Sequence, residues 1–137
     1  MPLANIDHTS IRTLKLEESR EFYESVLGMK VGDRPDFDFP GYWLYLNDHA
    51  VIHLVGIDPN NLDGLTNYLG EINMDEVSGS GAVDHLAFVA TDSAELIKTL
   101  NTMNIDFFER DVPNMDLFQI FVKDPNGVTL EINYWKN

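Results

Sequence analysis

Two Asp-His pairs, Asp7-His8 and Asp84-His85, carry the first chemical signal in this 137-residue chain. Each sits among apolar residues, in Asn5 to Ile11 and in Val83 to Val89, and each is followed by an acidic helix start. His53 stands in the middle of the apolar run Val51 to Val55, and Glu131 in the middle of Thr129 to Asn133. A polar side chain in a strand pays for its desolvation unless it has a partner. Neutral imidazole and carboxylate are donors that Zn²⁺, Ni²⁺, Mn²⁺, Co²⁺ and Fe²⁺ accept. Two His and one carboxylate with open positions also match the facial triad of non-haem iron. His53 and Glu131 can alternatively move protons, and spacing alone leaves open whether His53 is a ligand or an acid–base group.

The elements that would position these residues follow from periodicity. Ile6 to Thr13 alternates as a strand, placing His8, Ser10 and Arg12 on one face. Leu16 to Leu27 has helical spacing of Phe22, Tyr23, Val26 and Leu27, with Glu17 and Glu18 at its dipole-favoured start and Gly28 as C-cap. Met29 to Val31 begins a short strand. Arg34 to Gly41 reads as a loop with Phe37 and Phe39 exposed. Tyr42 to Leu46 and Val51 to Val55 are strands around a turn at Asn47 to Ala50.

Gly56 to Ala82, rich in Asn, Asp, Gly and Ser, reads as a surface connection with room for a short helix near Tyr68 and Leu69. Val83 to Val89 is a strand, and Asp92 with Glu95 forms a capping pair for a helix carrying Leu96, Leu100 and Met103. Asp106 to Arg110, Leu117 to Val122 and Val128 to Tyr134 are strands, the last two joined by the turn Asp124-Pro125-Asn126-Gly127.

The halves align as β-α-β-β-β twice, which points to an internally duplicated sheet. The alignment matches His8 with His85 and His53 with Glu131. Of the four histidines only His49, in a turn, falls outside this set and reads as a surface residue.

Composition narrows the chemistry further. The chain has no cysteine, so disulfides and thiolate metal sites are excluded. A net charge of −14 argues against a nucleic-acid partner and against an anionic membrane surface. No apolar run has the length of a membrane span and no leader pattern opens the chain, so a cytoplasmic protein is expected.

With these residues in hand, the chain resembles the vicinal oxygen chelate superfamily, the glyoxalase, bleomycin-resistance and extradiol-dioxygenase group. The residues that carry the resemblance are Ile6-Asp7-His8, Glu21 to Met29, Val83 to Phe88, and Asp124 to Glu131. It implies an α+β fold of two βαβββ modules forming a curved mixed sheet around a central metal cup. One domain is expected over 1–137, with module one at 4–57, a linker at 58–81 and module two at 82–137. The resemblance gives the ligand role to His8, His85 and Glu131, and the fourth ligand-like position to His53. Glyoxalase I enzymes usually present a carboxylate there and epimerase-like relatives an amide, so His53 departs from both patterns.

The resemblance also implies a divalent-metal-dependent lyase or isomerase acting on a small-molecule substrate whose adjacent oxygens the ion chelates. Zn, Ni, Mn, Co and Fe(II) are all open as the metal. Glu131 and His53 are the candidate bases. Small members are commonly homodimers, some building each site from His8 and His53 of one chain with His85 and Glu131 of the other. An extradiol-type Fe(II) dioxygenase is the alternative, with His53 as acid–base, although such enzymes tend to show Tyr where this chain has Phe121. A metal-free drug-binding protein is a third reading, disfavoured by the four retained donors. A fosfomycin-type transferase would need more cations than the scattered Arg12, Arg110 and Lys123.

Overall fold

The computed structural model describes residues 2–136. It divides at Val77/Ser78 into two compact units. Among the described residues no helix is long and apolar enough to cross a membrane.

The first unit runs β1 (Thr9–Thr13), α1 (Leu16–Glu21), a π-helical turn (Phe22–Val26), β2 (Lys30–Gly32), β3 (Gly41–Leu46) and β4 (His49–Gly56). Its sheet has the order β1-β4-β3-β2, with β1 parallel to β4 and the other pairs antiparallel. Helix α1 lies against β3 and β4. The expected single helix over Leu16 to Leu27 widens at its end, where Leu27 N–H reaches the Phe22 carbonyl five residues back. The wider turn allows Phe22, Tyr23 and Val26 all to be buried, with Phe22 and Tyr23 edge to face. Gly28 then reverses the chain at φ +74°, a conformation that costs a residue with a Cβ.

The connection proves to be packed rather than loose. Helix α2 (Asp63–Leu69) and a 3₁₀ turn (Met74–Glu76) follow β4. Phe39 is buried with Val55, Ile57 and Leu65, and Phe37, Leu62, Ile72 and Val77 close around them. The expectation that both phenylalanines are exposed therefore fails, because Leu62 and Leu65 supply the apolar cover that the loop lacks by itself. Tyr68 joins the Phe37–Phe39 stack, and Arg34 lies over both rings while its Nη2 donates to the Phe39 carbonyl. Gly64 allows this contact: a Cβ there would sit 2.0 Å from the Asp38 carbonyl oxygen.

The second unit repeats the topology with β5 (Leu86–Val89), α3 (Ser93–Thr102), β6 (Phe107–Val112), β7 (Leu117–Lys123) and β8 (Thr129–Trp135). Its sheet order is β5-β8-β7-β6, with β5 parallel to β8. As expected, Asp92 caps α3 by accepting from Glu95 N–H. Alternation along β8 buries Leu130, Ile132 and Tyr134 on one face and leaves Thr129, Glu131 and Asn133 for the other. The turn before β8 is fixed by Asp124, whose Oδ1 accepts from both Asn126 and Val128 N–H. That anchors the register of Glu131.

Candidate metal centre

Strand pairing puts the four candidate donors at equivalent places in the two units. Ser10 lies opposite His53 across the parallel pair, and Ala87 lies opposite Glu131. His8 and His85 each precede those residues by two positions. On the antiparallel side Trp43 faces His53 and Phe121 faces Glu131. Only His53 and Glu131 are within strands, however. His8 and His85 stand just ahead of β1 and β5, and both are partly exposed. The two opening strands are shorter than expected, for a different reason in each unit. Opposite His8 the ladder meets the irregular register between Leu44 and Tyr45, and opposite His85 it reaches the first residue of β8.

In the first unit, His8 Nδ1 is 2.6 Å from Asp7 Oδ2. The His8 and His53 rings stack at 3.7 Å and 11°, and Trp43 stacks on His53 at 3.9 Å and 10°. His53 is thus held between two rings. Desolvation there, followed by the adjacent His8, pushes its pKa below the ordinary value and keeps it neutral. His49 is exposed, as expected, but is not idle: its Nε2 is 2.6 Å from the Asp7 carbonyl oxygen. The hydrogen bond from His8 in turn lowers the Asp7 carboxyl.

In the second unit, His85 Nδ1 is 2.8 Å from Asp84 Oδ2, and its Nε2 is 3.5 Å from Glu131 Oε1. The hydrogen bond with Asp84, then the charge of Glu131, raise the His85 pKa. Glu131 is buried to 9% exposure. Its Oε2 accepts from Asn133 Nδ2 at 3.0 Å, Asn133 Oδ1 accepts from Gln119 Nε2 at 2.9 Å, and Gln119 Oε1 accepts from Arg110 Nε and Nη2 at 2.9 and 2.6 Å. Arg110 also lies over the Phe121 ring, which stacks with Phe108. Strand alternation alone places Asn133 on the face of Glu131 but does not single out Gln119 or Arg110. A glutamine inside the apolar strand Leu117 to Val122 is the signal that could have found them.

These geometries test whether the residues suit a divalent ion. A carboxylate on Nδ1 fixes the tautomer that leaves Nε2 with its lone pair, the usual outer partner of a metal-binding histidine. Both Asp-His pairs have that form. Ligand atoms bound at 2.0–2.2 Å to one tetrahedral ion lie roughly 3.3–3.6 Å apart, a range that includes the His85–Glu131 separation of 3.5 Å. This pair fits. In the first unit the two rings lie in nearly parallel planes 11° apart, so their in-plane lone pairs do not meet at one point and one ring must turn before both can bind one ion. Among the described residues no group of three or more His, Asp or Glu side chains converges as a ready-made metal site.

Comparison with known proteins agrees with this topology. The family model described as Glyoxalase/Bleomycin resistance protein/Dioxygenase superfamily matches residues 5–132. "Glyoxylase I 4" of Arabidopsis thaliana is 28% identical over 133 residues, covering 95% of this chain and 70% of the relative. A lactoylglutathione lyase of Pseudomonas putida is 27% identical, covering 92% and 82%. Among solved structures, a glyoxalase family protein from Bacillus anthracis superposes with a TM-score of 0.67 at 21% identity, covering 98% and 97% of the two chains. On the match of the family model over most of its length, the chain belongs to the Glyoxalase/Bleomycin resistance protein/Dioxygenase superfamily.

Proposed function

We propose that the protein is a divalent-metal-dependent, glyoxalase-like lyase or isomerase acting on a small substrate with two adjacent oxygens. In this reading both βαβββ modules form one domain, and His8, His53, His85 and Glu131 hold the ion. They do so within one chain or between the two chains of a homodimer.

The observation that carries the reading is the brace repeated in both units. Asp7 on His8 and Asp84 on His85 leave Nε2 of each ring to bind, and His85 Nε2 stands 3.5 Å from Glu131 Oε1. When bound, a divalent ion supplies Lewis-acid stabilisation of the charge that develops on the chelated oxygens. The chain's own groups supply the rest. Neutral His53, walled by His8 and Trp43, can accept a proton from the carbon beside a carbonyl. Glu131 is the other base for that step, with Oε1 toward His85 and Oε2 engaged by Asn133. Phe108 and Phe121 offer an apolar wall beside it.

The test is metal analysis of protein purified without chelator. Stoichiometric divalent ion, lost in His85→Ala, is expected; an unchanged or negligible metal content in both proteins overturns the reading. Lactoylglutathione is the first substrate to assay, given the Pseudomonas putida relative. Oxygen uptake with catechols by the iron-loaded protein would instead select the dioxygenase alternative.

A further inference from the structure

The row Arg110–Gln119–Asn133–Glu131 has a direction. Arg110 can only donate hydrogen bonds, and an ionised carboxylate can only accept them. The two amides between them can each be turned either way, since oxygen and nitrogen differ little in shape. Only one arrangement satisfies all three contacts. Gln119 must turn its oxygen to Arg110, which turns its NH₂ to Asn133, which in turn presents its own NH₂ to Glu131. These are the contacts observed, at 2.6 and 2.9 Å from Arg110, then 2.9 Å, then 3.0 Å. The residues come from β6, β7 and β8, and register holds the first three in line: Arg110 pairs with Gln119, and Gln119 pairs with Asn133.

We infer that Arg110, Gln119 and Asn133 form a positioning relay that sets which way the Glu131 carboxylate is held. Arg110 and the carboxylate hold the polarity from the two ends, and the two amides join them. Asn133 occupies Oε2 and leaves Oε1 directed to His85. Gln119 is buried at 4% exposure, so leaving its polar atoms unpaired is costly and its orientation is well determined. Arg110 is exposed, and its loss endangers the fold little. Without the guanidinium Gln119 Oε1 loses both of its donors, only the carboxylate end still orders the row, and the two amides are held less firmly against Glu131. The consequence for metal binding rests on the centre proposed above, but the polarity of the row does not.

The experiment compares wild type with Arg110→Met and Arg110→Lys by two readouts. The first is the Gln119 and Asn133 side-chain NH₂ signals in ¹⁵N NMR of the metal-free protein, with their exchange against water. The second is Co²⁺ affinity followed by its visible spectrum, at low and high salt. Methionine keeps an apolar stem over Phe121 but donates nothing; lysine restores a donor. In Arg110→Met both NH₂ groups are expected to shift and exchange faster. Co²⁺ affinity is expected to fall about 10–100-fold, the usual effect of losing an outer partner of a ligand. Arg110→Lys restores both. Because the effect is orientational, it persists at high salt, whereas a through-space charge effect between exposed groups fades. Unmoved NH₂ signals in Arg110→Met overturn the relay even if Co²⁺ binds. Co²⁺ weakening that disappears in high salt also overturns it. If the NH₂ signals respond as expected but wild type takes up no Co²⁺, the relay stands and the metal centre falls.

Discussion

The His53 imidazole lies face to face with that of His8, their centroids 3.7 Å apart and their planes 11° from parallel. Two rings so close cannot both be protonated without like-charge repulsion in a partly desolvated place. Trp43 on the other face of His53 completes a three-ring stack. The stack explains why His53 stays neutral and why its lone pair does not yet converge with that of His8.

Acid should destabilise the metal-free protein through this residue. The folded-state pKa of His53 lies below the ordinary 6.5, chiefly through desolvation. Between the folded and unfolded values the unfolded chain binds the extra proton, so this stability is present above 6.5 and is lost as pH falls through and below it. Chemical denaturation across that range is expected to flatten in His53→Phe, which keeps the stack and cannot titrate. His53→Ala should instead lose stacking, about 0.5–1.5 kcal/mol per aromatic pair. An unchanged pH profile in His53→Phe would contradict the assignment.

His85 should behave with the opposite sign. Its pKa is raised above 6.5, first by the hydrogen bond with Asp84 and then by the charge of Glu131. Its contribution is present below 6.5 and lost as pH rises through the folded value. In the metal-free protein, Asp84→Asn should lower the His85 midpoint measured by imidazole NMR. The same change should weaken divalent-ion binding about tenfold or more, because the carboxylate no longer orients the ring.

Tyr134, buried in the second unit, has its phenol pushed up to about 12 by burial, with Asp92 and Glu95 adding to the shift. Its neutral form is favoured in the fold. The associated stability is full below 10 and is lost as pH rises from there toward 12. Ultraviolet titration should show phenol absorbance that develops late, and Tyr134→Phe should reduce that late portion by one phenol.

The packed connection predicts a specific weakness. Leu65→Ala should cost about 2–5 kcal/mol, the usual range for emptying a buried leucine site. Gly64→Ala should destabilise as well, since its new methyl group meets the Asp38 backbone. Both variants should expose residues 57–77 to limited proteolysis before the β-strands are cut, and protection equal to wild type would refute the packing role.

Much of this could be read from residue order. The duplicated topology followed from strand and helix periodicity, and the equivalence of His53 with Glu131 from aligning the closing strands. The register now observed for both pairs has the same form. Two kinds of feature were hidden. The cover over Phe39 comes from Leu62 and Leu65, residues too few and too polar in context to announce a core. The row from Arg110 to Glu131 depends on the alignment of three strands, which no local pattern encodes. His8 and His85 resemble strand residues because their neighbours alternate, but pairing stops at the irregular register in the first unit and at the start of β8 in the second.

Among the described residues every strand pairing stays on one side of Val77/Ser78. Once the first 77 residues have left the ribosome, the first sheet has all of its hydrogen-bonding partners and can close while the rest is still being made. No early strand edge has to wait for a late one. A nascent chain halted only once Val77 has cleared the exit tunnel should therefore already protect the backbone amides of β1, β3 and β4 from exchange.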